Sequence, residues 1–340
     1  MLEPATTVEL ADGPAVVPAE RVRRAAILSV ATELPDGRLT NAELASRLGL
    51  SEEWIVSRTG IRERRRAAPE ERLTDFATAA GAAALARAGV PAETLDLVIV
   101  GTMTPDELTP NTAPLVADAL GATRAGAFDV GAACTAFLSG LAIASGQIEA
   151  HRADTVLLIG ADFVTRITDY DDKRSAPLFA DAAGAVVLGP AGPADGAVGP
   201  IVLGADGSHA ATISATHERR KLEMDGPEVY RNAVARMSEV TVQAVARAGL
   251  TLEQIDLFVY HQANARITRA LGERLGLPPA RVVDCIETLG NASAATLPVA
   301  LDVAERDGRL KPGSRVLVSA FGAGFTWGGG VIEWGGSADA

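Results

Sequence analysis

Shifting the chain by 160 positions lays Ala84–Leu97 (ALARAGVPAETLDL) on Ala244–Leu257 (AVARAGLTLEQIDL), with eight of the fourteen residues identical. The matches are Ala84, Ala86, Arg87, Ala88, Gly89, Glu93, Asp96 and Leu97. The surrounding elements match in kind as well. Each copy continues as a short apolar strand, a polar loop, a helix ending in Leu-Gly (Leu120-Gly121; Leu275-Gly276), a short strand, a glycine-bearing turn and a small-residue helix. Each then closes in a strand, residues 155–159 in one copy and 315–319 in the other. Such a repeat dictates a duplicated α/β unit. Alternating strands and helices imply mostly parallel sheets covered by helices. Two copies then pack about a pseudo-two-fold axis, with a site expected where equivalent strand ends converge.

Local signals agree. Thr40 with Glu43 forms a capping box opening a helix through Leu48, and Leu73–Ala88 is an Ala-rich helix stopped by Gly89. Residues 1–20 are acidic and aperiodic and read as a flexible arm. The two halves are expected at 21–190 and 225–340, joined by a Gly- and Pro-rich connecting excursion at 191–224. Composition then excludes several function classes. A formal net charge of −12 argues against nucleic acid. Two cysteines make neither a disulfide scaffold nor a cysteine-rich zinc site. No apolar run approaches the ~20 residues that span a bilayer, and no secretory signal is visible. A cytoplasmic enzyme is the default expectation.

The reactive residues fall on the repeat. In GAACTAF, a strand ends, small residues turn, and a helix is expected to begin at Cys134. A thiol at a helix N-terminus feels the positive dipole end, so a lowered pKa is expected; a packing cysteine is the equally weighted alternative. His261 ends the strand Leu257–Tyr260, where α/β proteins place ligands. His151, His209 and His217 lie among charges and read as surface residues. Asn291 sits between turn and small-residue helix, read as the second half's counterpart of Cys134, with a plain N-cap as its simpler role. The glycine-rich run FGAGFTWGGG, around Ala323, lets a backbone N–H approach a reacting carbonyl. Cys285, placed on a short strand, is taken as core.

The blocks GAACTAF, YHQANARI, GNASAATLP and FGAGFTWGGG, with WIVSRTGIRER at Trp54–Arg64, resemble the Cys-His-Asn signatures of the β-ketoacyl-acyl-carrier-protein synthase III family. They run in order across nearly the whole chain. The resemblance implies a thiolase-like fold, a duplicated α/β unit in five layers, α-β-α-β-α, and a homodimer. It implies that Cys134 takes an acyl group from acyl-CoA as a covalent intermediate. Backbone N–H groups of Cys134 and Ala323 would hold the oxyanion. His261 and Asn291 would bind the thioester oxygen of malonyl-acyl-carrier protein as CO₂ leaves, and the enolate would attack the acyl-Cys. Decarboxylation drives the reaction, so no metal or redox cofactor is implied.

The same resemblance assigns the CoA path to Trp54 (adenine stacking), Arg58 (nucleotide end), Gly226 and Asn264 (pantetheine arm). Arg231, Arg266 and Arg274 match a patch that docks the acidic carrier protein, although Glu273 stands where another basic residue is usual. The arginine run Arg58, Arg62, Arg64, Arg65 and Arg66 is read as a solvated basic face except at Arg58. Three departures stand out. Lys173, beside Arg174, replaces the arginine that completes the adenine sandwich, and a lysine lacks its planar face. Thr109 replaces the phenylalanine that gates the acyl pocket of short-chain members, which implies longer or branched starters. Ala180-Asp181-Ala182-Ala183-Gly184 replaces Gly-Asp-Gly-Ala-Gly, the mark of a divergent member, as in a secondary-metabolite pathway. A plain acyltransferase that moves the acyl group without condensation stays open on these departures. A papain-like hydrolase lacks its cysteine context at Cys134, and a non-catalytic scaffold would not keep three reactive residues in these settings.

Overall fold

A computed structural model of the chain describes residues 23–192 and 195–335. The arm expected at 1–20 lies outside the described residues. The N-terminal half runs β1 (Ala25–Glu33), β2 (Arg38–Thr40), α1 (Asn41–Leu48), α2 (Glu52–Thr59), β3 (Glu63–Arg65), α3 (Leu73–Ala88), β4 (Leu97–Gly101), α4 (Thr112–Leu120), β5 (Gly126–Val130), α5 (Ala136–Glu149), β6 (Val156–Phe163) and β7 (Asp181–Pro190). The C-terminal half runs β8 (Gly196–Ala205), β9 (Ile213–Ala215), β10 (Leu222–Met224), α6 (Gly226–Arg247), β11 (Leu257–Tyr260), α7 (Ala265–Leu275), α8 (Ile286–Leu289), α9 (Thr296–Arg306), β12 (Arg315–Gly322) and β13 (Thr326–Trp334). Thr40 and Glu43 form the expected capping box, and Gly89 ends α3 in the left-handed region at φ 64°.

The duplication is visible in the sheets. One sheet has the order β1-β7-β6-β4-β5 and the other β8-β13-β12-β11. In the first, β4 and β6 are parallel with Leu97 opposite Val156; in the second, β11 and β12 are parallel with Leu257 opposite Val316, the same register shifted by 160. The strands that follow, β7 and β13, turn antiparallel, as do β1 and β8 beyond them, so each sheet is mixed and not mostly parallel as expected from the alternation of strands and helices. Helices α5 and α9 lie between the sheets, and α3 and α6 cover the outer faces. The central core accordingly mixes both halves, with Phe137, Leu141, Leu158, Leu297, Leu301 and Val318 in one buried cluster.

Three expectations change here. The stretch 191–224 is more than a connection: β8 is the edge strand of the second sheet, paired along β13. The short strand expected near Cys285 is reduced to one bridge, Phe258 with Val282, so among the described residues the second sheet has no counterpart of β5. Cys285 itself precedes the single-turn helix α8. It is half-buried against the central core, as its packing role requires, and burial pushes its thiol up to about 12.

Candidate active site

Two short 3₁₀ turns, Ala133–Thr135 before α5 and Ser293–Ala295 before α9, meet between the sheets. Their backbones match: Ala133 has φ 46° and Ser293 φ 48°, left-handed values unusual for residues with a Cβ. Each central strand packs on the other half's turn. A Cβ on Gly160 of β6 would lie 2.4 Å from the Ala294 carbonyl oxygen, and one on Gly322 of β12 would lie 3.0 Å from the Cys134 nitrogen. The first approach has no room for a Cβ, and the second is tighter than nearly all Cβ contacts. In this register Cys134 corresponds to Ala294, and Asn291 to Gly131. Asn291 is therefore not the counterpart of Cys134, as read from sequence, but lies three residues before that position.

The helix α5 starts at Ala136, so Cys134 sits inside the 3₁₀ turn rather than at the first helical residue. Its thiol is raised to about 11, chiefly by burial, with a further push from the Asp162 charge and an opposing pull from Ser293. The lowered pKa expected from the helix dipole does not emerge: burial raises it. Asp162, fully buried at the end of β6, accepts from Met103 N–H (2.8 Å), Thr104 Oγ1 (2.9 Å) and Thr102 Oγ1 (3.1 Å). Its other oxygen accepts from Ala294 N–H at 3.1 Å and so ties the second turn to the first half. Ser293 Oγ, fully buried, faces Cys134 and Asp162 without a hydrogen bond of good geometry to either.

His261 follows β11, its N–H donating to Ser319 O at 2.8 Å. It is 2% exposed, and burial pushes its pKa down to about 4, so the imidazole is neutral near pH 7. Its Nδ1 lies 2.5 Å from Thr296 Oγ1. Asn291 is clamped between halves: its N–H donates to Leu178 O and its carbonyl accepts from Ala180 N–H, both at 2.9 Å. Asn291 Oδ1 accepts from Ser293 N–H at 2.9 Å. That bond settles the amide's orientation and leaves both Nδ2–H groups as donors.

Cys134, His261, Asn291 and Ala323 all line one cavity of about 700 Å³. The turn carrying Ala323 is locked to the cysteine turn, because Thr326 Oγ1 donates to Ala323 O (3.1 Å) and accepts from Thr135 Oγ1 (2.9 Å). Trp54, Arg58, Lys173, Gly226, Asn264, Arg231 and Arg266 line the same cavity. The Arg58 guanidinium lies 5.8 Å from the Trp54 ring centroid, and that of Arg266 5.4 Å from the Tyr230 centroid. Asn264 caps α7 and donates to the Arg58 carbonyl at 3.1 Å, joining α2 to α7 as one wall.

Two predicted residues are not brought in. Arg274 is exposed in the last turn of α7, away from the cavity. Thr109 is exposed on the loop before α4 and does not line its own chain's cavity; the N-terminus of α4 is held instead at β5, by Asp129. The arginine run also divides. Arg64 is fully buried, its Nε donating to Pro177 O at 2.8 Å, and Arg62 pairs with Glu287 at 2.5 Å; neither lines the cavity. The alanines that replace glycines at 180 and 182 pack with Ala292, Ala295 and Val299, behind Asn291. Sequence reading missed Asp162, Ser293 and Thr296. Asp162 offered a signal, a lone acid ending an apolar strand; the two hydroxyls sat unmarked in a small-residue run.

Sequence profiles of the 3-oxoacyl-[acyl-carrier-protein] synthase III family match residues 128–207, and its C-terminal domain 245–334. The chain is 42% identical over 329 residues to β-ketoacyl-[acyl-carrier-protein] synthase III of Symbiobacterium thermophilum, covering 93% of this chain and 99% of that one. Similarity to synthase III 2 of Streptomyces coelicolor is 43% over 314 residues, covering 92% and 94%. Among solved structures, synthase III from Aquifex aeolicus superposes with a TM-score of 0.89 at 38% identity, covering 91% of this chain and all of that one. The priming β-ketosynthase of the R1128 polyketide pathway gives 0.87 at 37%, covering 93% and 99%. Fold and site thus define a thiolase-fold condensing enzyme, an acyltransferase. The chain belongs to the β-ketoacyl-[acyl-carrier-protein] synthase III family.

Proposed function

We propose that this protein loads an acyl group from acyl-CoA onto Cys134 and condenses it with malonyl-acyl-carrier protein, priming fatty-acid or polyketide synthesis. In the first half-reaction the sulfur attacks the thioester carbonyl, the bond to CoA breaks, and the thiol proton ends on the CoA sulfur. The N–H groups of Cys134 and Ala323 hold the oxyanion. In the second, loss of CO₂ leaves an enolate whose oxygen is held by His261 Nε2–H and Asn291 Nδ2–H. Its carbon attacks the acyl carbonyl, the acyl–sulfur bond breaks, and Cys134 leaves as a thiolate that takes a proton from water to restore the thiol. The chemistry closes without a metal or redox cofactor.

One observation carries this reading: Cys134, His261 and an amide-oriented Asn291 share one cavity. At its mouth Trp54, Arg58 and Lys173 suit a nucleotide with phosphates, and Gly226 and Asn264 a pantetheine arm. Arg231 and Arg266 at the same mouth, with Arg274 further along α7, supply local positive charge for an acidic carrier protein on a chain of net charge −12. The free edge of β5, with Phe128 37% exposed, suits pairing with a second copy. Thr109 can act on an acyl chain only from such a copy. No described helix is long and apolar enough to cross a membrane, and substrates of this kind fit a cytoplasmic enzyme. The test is incubation with an acyl-CoA panel and malonyl-acyl-carrier protein. CO₂ release with a product two carbons longer is expected. Acyl gain alone would establish transfer without condensation.

A further inference from the structure

The role proposed for His261 requires a proton on Nε2. A neutral imidazole carries one N–H, so Nδ1 must then be an acceptor. Its partner is Thr296 Oγ1, 2.5 Å away. That hydroxyl has one proton and two acceptors within reach, Nδ1 and the Ser293 carbonyl oxygen at 2.9 Å. If the proton goes to Ser293, Nδ1–H must donate to Thr296, and Nε2 meets the substrate oxygen lone pair to lone pair. If it goes to Nδ1, Nε2–H faces the cavity beside the two Nδ2–H donors of Asn291. The 2.5 Å contact to Nδ1 fits donation in either direction, so the role asked of Nε2 makes the choice. The neighbouring amide is already fixed as a donor by Ser293 N–H, so only the second arrangement makes the two side chains act on one oxygen.

We propose that Thr296 is the positioning residue that sets the His261 tautomer, donating its hydroxyl proton to Nδ1 so that Nε2–H points into the cavity. This rests on the condensing reading above. Thr296 touches no substrate, being enclosed at the start of α9 at 4% exposure. Sequence reading gives it no role, and its equivalent in the first half is Ala136, which has no hydroxyl.

Nitrogen-15 NMR of histidine-labelled protein tests the assignment directly. In the unmodified protein a pyrrole-type Nε2 and a pyridine-type Nδ1 are expected for His261, whose signals are identified by their loss in H261A. Thr296→Val is close in shape and should fold. It should acylate Cys134 at the normal rate, lose the hydrogen-bonded Nδ1 signature, and decarboxylate malonyl-acyl-carrier protein about tenfold more slowly. Thr296→Ser should restore both signature and rate. A protonated Nδ1 in the unmodified protein overturns the proposal, as does a T296V protein that acylates and decarboxylates normally. Failure of the unmodified protein to decarboxylate malonyl-acyl-carrier protein would instead sink the condensing reading, while the tautomer is still read from the spectrum.

Discussion

In the N-terminal half the turn before α5 has Ala133 at φ 46°, a 3.0 Å bond from Thr135 N–H to Ala132 O, and Cys134 at its centre. In the C-terminal half the turn before α9 has Ser293 at φ 48°, a 3.0 Å bond from Ala295 N–H to Ala292 O, and Ala294 at its centre. Each non-glycine residue at such φ costs about 1–3 kcal/mol and persists only where its surroundings hold it. Here the opposing strand ends hold it, through the approaches at Gly160 and Gly322. The two halves therefore present two similarly strained turns that differ in the side chains they carry. One presents the thiol at its centre. The other has Ala294 at its centre and carries Asn291 and Thr296 on its flanks, where the first half has Gly131 and Ala136.

The division of labour predicts different failures. Cys134→Ser should abolish the acyl adduct seen by intact-protein mass spectrometry with acyl-CoA, with turnover down by on the order of 10³ or more. An adduct mapped by peptide mass spectrometry to a residue other than 134 would show that the first turn is not the loading site. Asn291→Ala should still form the adduct, yet slow malonyl decarboxylation by about 10²–10³-fold, the usual cost of one oxyanion donor. If both half-reactions fell together, the two turns would not be separable.

The thiol offers a pH test. An ordinary cysteine is half ionised near 9, and Cys134 near 11. In a Cys285→Ala background, alkylation by a neutral reagent should keep rising about tenfold per pH unit beyond 9. A plateau below 9 would restore the dipole-activated thiolate. The linkage has a definite sign: the folded state keeps this proton where the unfolded chain has lost it. Stability from this thiol is thus lost as pH rises from 9 toward 11.

Much of this plan was legible in the sequence because it rests on short-range signals. The repeat at Ala84–Leu97 and Ala244–Leu257, the Thr40 capping box and the Gly89 stop all emerge as read. What was not legible depends on pairs distant in sequence. Strand β8 reads as a Gly- and Pro-rich excursion because its pairing lies with β13, over 120 residues on. The raised pKa of Cys134 is not legible from its local position, because the burial behind it comes from both halves. Asp162 and Thr296 carry no motif; their partners Ala294 and His261 come near only in the fold.

The cross-packing can be broken on one side. Gly160→Ala places a methyl 2.4 Å from the Ala294 carbonyl oxygen, a backbone atom that cannot step aside as a flexible side chain can. Stability should fall by about 1–3 kcal/mol, read from the denaturant midpoint. Asn291-dependent decarboxylation should suffer more than Cys134 acylation, because the second turn is the one displaced. Equal loss of both would mean that the turns move as one body.

The smallest effect lies where the halves diverge most. The chain from β6 to β7 spans residues 164–180, whereas that from β12 to β13 spans only 323–325. The short connection carries Ala323 to the cavity that Cys134 lines. The long one carries Lys173, Arg174 and Phe179 to the cavity and so builds the mouth. Trp54 lines the same cavity with Arg58 packed against it, and Arg174 is held by Asp172 at 3.0 Å; on the proposed reading, Lys173 is the side chain that meets a bound base. A lysine offers charge but no planar face. Lys173→Arg adds one, worth about 0.5–1 kcal/mol at an exposed site. KM for acyl-CoA should therefore fall two- to fivefold with kcat unchanged, while KM for the same acyl group on pantetheine alone should not move. An equal gain on both substrates would show that residue 173 acts through general charge, and that the long connection does not read the nucleotide.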